Sequence, residues 1–174
     1  MFIAISGTPG TGKTKVAKIL AKKLRADFID TKFLIKKYRI KTVLDRKRNT
    51  SIIDARKLCR FAEKESRNHE TCVFESHMAH LAKADMIIIL RCEPLVLEKR
   101  LKKRGWSAAK IRENVEAEAI GTISMERKAV EIDTTKRSPE KTAELIKKLL
   151  NNYSLQRRYG RIDWTEKYAK YLER

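Results

Sequence analysis

Residues 7–14 read Gly-Thr-Pro-Gly-Thr-Gly-Lys-Thr, residue types and a spacing that suit one kind of chemistry. Glycines let successive backbone N–H groups curl around a polyphosphate, Lys13 reaches the outer phosphates, and the Thr14 hydroxyl helps hold Mg²⁺. The stretch fits the Walker A pattern, and it predicts a site for a nucleoside triphosphate, ATP or GTP. Its expected contacts are Gly7, Pro9, Gly10, Thr11, Gly12, Lys13, Thr14 and Lys15.

Phosphoryl chemistry also needs acids and cations at the same edge of the molecule. Asp30 and Glu75 each close an apolar run, whereas Asp85 opens the run Met-Ile-Ile-Ile-Leu and so falls at the opposite edge, as a strand boundary. Glu75 begins Glu-Ser-His. Its carboxylate could orient Mg²⁺ through a water, and the His77 imidazole could position a phosphate or an attacking water. The alternative is that Glu75 caps the loop and His77 is a satisfied hydrogen-bonding residue. His77 and His80 alone are too few for a metal centre. Arg104, at the start of Arg-Gly-Trp, is placed to clamp a phosphoryl group or stack on a base; Arg100, one turn earlier, stays open between that role and a solvated helix face.

The elements that would position these groups alternate. Strands are expected at 2–5, 27–30, 71–75, 86–91 and 129–133, where short apolar or β-prone runs occur. Helical spacing marks 13–24, 56–67, 95–104 and a long helix over 107–128 carrying Ile111, Val115, Ala119, Ile120 and Ile123. Ser138 before Pro139 starts another, with Ala143, Ile146 and Leu150 as its buried stripe. A doubly wound, five-stranded parallel sheet with helices on both faces follows, its ligands at the carboxyl ends of the strands.

Composition bounds the rest. A chain of 174 residues, 42% hydrophobic, can build one α/β core but not two nucleotide-binding domains. Cys59, Cys72 and Cys92 form no C-x-x-C pair, so neither a zinc knuckle nor a disulfide framework is indicated. With no signal peptide and no long apolar stretch, a cytoplasmic protein that does not engage membranes is expected. The formal net charge is +19, and it is segmental: 32–60 holds eleven basic and two acidic residues, 136–174 eleven and five, while 61–90 and 105–135 are each net negative. Such clustering points to a surface that meets RNA rather than to a general solubility device. In the last segment Tyr159, Trp164, Tyr168 and Tyr171 are interleaved with Arg157, Arg158, Arg161, Lys167 and Lys170. That pattern suits base stacking, or a C-terminal helix that docks its aromatic face and leaves its basic face free.

Taken in order, GTPGTGKT, DRKRNTSIID, Glu-Ser-His, LKKRGW, KIRENVEAE and EIDTTKRSPE resemble the atypical adenylate kinases of the isoenzyme-six type, also described as nuclear adenylate kinases and small-subunit ribosome assembly ATPases, which have archaeal members. The resemblance runs from Met1 to about Leu150. It implies a P-loop NTPase fold of the adenylate-kinase kind, conversion of ATP and AMP to two ADP, and an ATPase tied to maturation of the small ribosomal subunit, with rRNA and a ribosomal protein as partners. It also implies catalytic roles for Lys13, His77 and Arg104, and Mg²⁺ at Thr14 and Glu75. Residues 1–150 would form the kinase domain, with a monophosphate-binding insertion at about 30–53, a short lid at about 103–113 and a basic aromatic extension over 151–174. Three differences stand out. Glu75 replaces the family's usual aspartate, Lys15 follows the Walker threonine where a second threonine is common, and the monophosphate-contacting arginine is represented only by Lys36, Lys37 and Arg39.

Overall fold

The computed structural model describes residues 1–45 and 50–172, with side chains at 45, 50, 51 and 170–172 left aside. Arg46, Lys47 and Arg48, which contribute to the expected basic run, and the side chains of Lys170 and Tyr171 therefore lie outside the described residues.

Apolar runs build a parallel sheet of β1 (Phe2–Gly7), β2 (Asp27–Asp30), β5 (Cys72–Glu75), β6 (Met86–Arg91) and β7 (Val130–Asp133), in the order β2-β5-β1-β6-β7. The alternation of β1 explains the layers. Ile3 and Ile5 face one core with Val73, Ile88 and Leu90, covered by α1 (Lys13–Leu24) and α7 (Pro139–Leu150). Phe2 and Ala4 face the other with Cys72 and Phe74, covered by α2 (Thr31–Tyr38) and α3 (Ala55–Ser66). A third apolar cluster joins α4 (Pro94–Lys103) to α5 (Ala108–Ile120) through Leu97, Leu101, Ile111 and Val115. The chain leaves β1 toward β2 and later crosses back to β6 on the opposite side, so the switch in strand order lies at the end of β1, where open α/β sheets hold ligands.

Two elements differ from expectation. The helix over 107–128 breaks at Gly121, whose φ of 76° ends α5 and begins α6 (Thr122–Glu126); Ile120 is left 40% exposed rather than joining the stripe. A small antiparallel hairpin, β3 (Val43–Asp45) with β4 (Thr50–Ile52), stands apart from the main sheet. On α7 it is Leu149 that is fully buried, with Leu150 at its margin. Among the described residues no helix is long and apolar enough to cross a membrane. The three cysteines are free and buried, and burial pushes their thiols up, to about 12 for Cys59 and about 11 for Cys72 and Cys92.

Beyond α7 the chain adds α8 (Tyr153–Gln156) and α9 (Thr165–Leu172), and it docks. Tyr168 is 5% exposed and its hydroxyl donates to Glu93 at 2.7 Å, while the Lys167 ammonium reaches the same carboxylate. Arg157, Arg158 and Arg161 stay on the surface.

Candidate functional site

The loop between β1 and α1 is held open by backbone that only glycine tolerates. Gly7, Gly10 and Gly12 have φ of 140°, 98° and 95°. A Cβ on Gly7 would stand 2.3 Å from the Leu90 carbonyl oxygen, and one on Gly10 2.6 Å from Leu97 Cδ1. Gly12 caps α1 without a side-chain acceptor, and no acidic residue sits in the first turn. The helix thus begins with N–H groups that no side chain satisfies and with its positive end uncompensated, the arrangement that favours a bound anion.

Lys13 sits at the centre of this cradle, 8% exposed, its ammonium donating to the Thr8 carbonyl at 3.2 Å. Burial brings its pKa from 10.5 down to about 8, with Glu75 and Glu118 pulling the other way and Arg104 adding to the fall. Such a cation is under-neutralised, and phosphate would relieve it. Thr14 is exposed beside it and donates to Glu75 Oε2 at 3.1 Å, so the two groups assigned to Mg²⁺ are adjacent at the carboxyl end of the sheet. Among the described residues there is no group of three or more His, Cys, Asp or Glu that could hold a metal. A hydroxyl and one carboxylate nevertheless fit Mg²⁺, which takes its remaining oxygens from phosphates and water.

The other candidates separate. His77 is exposed on the turn after β5, and its imidazole is held below the usual histidine range by partial loss of water around the ring, then by the Lys13 ammonium and His80. His80 is buried and structural: Nδ1 lies 2.9 Å from Ser6 Oγ and Nε2 2.8 Å from Glu126 Oε2. Asp30 caps α2 by accepting from the Phe33 N–H at 2.7 Å, and Asp85 accepts from the Phe2 N–H at the far edge. Of the three cations named in place of a monophosphate-contacting arginine, Lys37 is engaged by Glu65 at 2.7 Å, Arg39 ends α2 in left-handed backbone, and Lys36 stays exposed.

Arg100 does not reach the crevice as a free cation. Its guanidinium donates to the Thr134 carbonyl at 2.9 Å and the Thr135 carbonyl at 3.2 Å, bracing the loop after β7 beneath the phosphate loop. Arg104 is exposed at the end of α4 and lines both crevices beside the loop, of about 520 and 200 Å³, with Gly12 and Lys15. Thr134, Arg137 and Pro139 form the facing wall of the larger one. The Thr134 hydroxyl lies 2.9 Å from the Thr11 carbonyl, which ties this wall to the cradle.

Beneath the loop lies a buried network that sequence reasoning missed. Glu118 accepts from Arg91 Nε at 2.8 Å, from the Cys92 N–H at 2.9 Å and from the Thr8 hydroxyl. Arg91 also donates to Glu131 at 2.7 Å and to the Ile162 carbonyl at 2.8 Å. Burial works against the Arg91 charge, and its two carboxylates more than restore it; burial likewise lifts the Glu118 carboxyl above its ordinary range against the pull of Arg91. The signal in the sequence was an arginine ending an otherwise apolar strand, which demands a buried carboxylate partner.

A parallel sheet with its switch point at a glycine cradle, a buried lysine and an uncapped helix start define the chain as a P-loop α/β protein. A family model described as an AAA domain matches residues 3–121. A protein of Methanocaldococcus jannaschii named "Putative adenylate kinase" is 38% identical over 174 residues, spanning 99% of this chain and 97% of that one. A protein of the same name from Pyrococcus furiosus is 38% identical over 178 residues, with 99% and 96% covered. The chain belongs to this adenylate-kinase-like family of P-loop proteins. Solved structures share the fold at low identity: shikimate kinase from Bacteroides thetaiotaomicron (18% identical, TM-score 0.63, 87% of this chain and 99% of that one) and deoxyadenosine kinase from M. mycoides (19%, TM-score 0.55, 87% and 99%).

Proposed function

We propose that the protein transfers the γ-phosphoryl group of ATP to a nucleoside monophosphate, AMP giving two ADP, and that it is of the isoenzyme-six type, acting in the cytoplasm. The observation that carries this reading is Lys13, a buried ammonium brought down to about 8 inside a loop of left-handed glycines. The names of the relatives supply the acceptor.

Gly10 and Gly12 would hold the β- and γ-phosphates through their backbone N–H groups, and Lys13 would neutralise the oxygens on which negative charge concentrates. Thr14 and Glu75 would hold Mg²⁺, which would supply neutralisation of the triphosphate's negative charge. Lys15 flanks the phosphates. Arg104 would close over the nucleotide from the end of α4, within the proposed lid at 103–113. His77, which its surroundings keep neutral, would orient the acceptor phosphate or a water.

A second activity belongs to the same reading, ATP hydrolysis linked to small-subunit rRNA and a ribosomal protein. It is favoured by the net charge of +9 over 32–60 and by the engagement of Lys37 with Glu65, which occupies one of the cations that could meet an acceptor phosphate. Steady-state ADP formation from MgATP separates the two. If AMP multiplies the rate, kinase chemistry dominates; if rRNA does so and AMP does not, hydrolysis dominates. No ADP in either case would refute the site.

A further inference from the structure

A cleft of about 910 Å³ opens where β6 and β7 begin, between Asp85–Ile87, Lys128–Glu131 and the segment from Tyr153 to Arg161. In a parallel sheet that is the edge away from the phosphate loop, about 20 Å along the six residues of β6. The cleft is therefore separate from the crevices that serve the triphosphate.

Its lining is cationic. Arg127, Lys128, Arg157 and Arg161 line it from two different segments of chain. Among the described residues no carboxylate pairs with Arg127, Lys128 or Arg157, and Arg161 meets Asp163 only at 4.0 Å. The two acids in the wall are occupied: Asp85 accepts from the Phe2 N–H, and Glu131 is held by Arg91 and the Ile162 N–H. Tyr153 is 68% exposed, with the Arg157 guanidinium 4.9 Å from its ring centroid, and Met125 is 60% exposed beside them.

We infer that this cleft binds a single-stranded polynucleotide. The inference rests on the polynucleotide part of the function proposed above and assigns that partner a place. Cations spread along two walls match a chain of phosphates; a single small anion would call for donors that converge. An open ring already joined to a guanidinium offers a flat surface on which a base can stack. A duplex hides that base surface, so unpaired strands are the fitting ligand. An acidic protein segment would use the cations and leave the ring idle.

The test is fluorescence anisotropy with a labelled 12-nucleotide oligo(U), its oligo(dT) counterpart and a duplex RNA, over 50–200 mM salt and without ATP. Arg127→Glu with Arg157→Glu is compared with Lys22→Glu and Lys99→Glu, two exposed positions elsewhere that give the same change in net charge. Cleft reversal is expected to weaken oligo(U) at least tenfold and to reduce the salt slope by about 1.4, from two lost phosphate contacts on a single strand. Tyr153→Ala should weaken it about tenfold, and the duplex should bind less tightly than either single strand. Equal losses in the control variant, or equal duplex binding with no effect of Tyr153→Ala, would overturn the inference; so would displacement of oligo(U) by polyglutamate at matched charge, which would assign the cleft to an acidic protein. ADP formation from MgATP and AMP is measured on the same variants. In the unsubstituted protein, turnover with no oligonucleotide bound removes the cleft alone, and oligonucleotide binding with no turnover removes the phosphoryl-transfer reading alone.

Discussion

Replacing Lys13 by methionine should abolish turnover and at the same time make the empty protein more stable. The ammonium is 8% exposed and its pKa lies at about 8 in the folded chain against 10.5 ordinarily. At about 1.4 kcal/mol for each tenfold step, holding that charge in the fold at pH 7 costs about 3 kcal/mol. The lost hydrogen bond to Thr8 returns about 1 kcal/mol of this, and the carbonyl it leaves still accepts from the Thr11 N–H at 3.2 Å and the Thr11 hydroxyl at 2.9 Å. A net gain of about 2 kcal/mol is expected at pH 7. The sign follows from proton counts. Between pH 8 and 10.5 the unfolded chain keeps a proton on Lys13 that the folded chain has released, so wild-type stability rises with pH through that window and the advantage of the variant closes. Urea unfolding of both proteins at pH 7 and pH 10, without nucleotide, reads the difference. A variant less stable than wild type at pH 7, or a gap that does not narrow by pH 10, would refute the reasoning.

Gly7→Ala places a methyl 2.3 Å from the Leu90 oxygen in backbone with φ of 140°; a loss of about 3 kcal/mol is expected, seen as a fall in Tm on the order of 10 °C, and an unchanged Tm would mean that the loop is not held this tightly. Arg91→Met strands two buried carboxylates and should cost about 3–5 kcal/mol in denaturant unfolding. Adding Glu118→Gln should recover more than about 1 kcal/mol, whereas strictly additive losses would show that the network is not a unit. Glu75→Gln should raise the Mg²⁺ concentration for half-maximal turnover about tenfold with stability unchanged within about 0.5 kcal/mol; equal Mg²⁺ dependence would remove Glu75 from the metal site.

The parallel sheet was legible because its strands are fully covered and therefore read as unbroken apolar runs, Met-Ile-Ile-Ile-Leu above all. The hairpin was not, because Val43, Leu44 and Ile52 are 67%, 61% and 54% exposed and answer to no core. Gly121 looked like one weak position inside a helical pattern; only its left-handed backbone, with the Arg91 guanidinium 3.4 Å from where a Cβ would stand, turns it into a break. For the site, the glycine loop, Lys13 and Thr14 could be read from spacing, since the anion is met by backbone and adjacent residues. Glu118 could not. On the sequence it is one of several acids along a helix, and its role depends on an arginine 27 positions away. Arg100 was undecided for the same reason, since the carbonyls it braces come from the loop after β7.

The last stretch of chain is stitched into the middle of the molecule. The Ile162 carbonyl accepts a hydrogen bond from Arg91 and its N–H donates one to Glu131, while the same guanidinium supports the acid that steadies Thr8. A tail clipped before this point would take one carbonyl acceptor from Arg91 and one N–H donor from Glu131, leaving the guanidinium with its two carboxylates but with an unfilled position beneath the glycine loop. The terminal segment is thereby a strut of the layer under the loop, set in place by two backbone groups of a single residue.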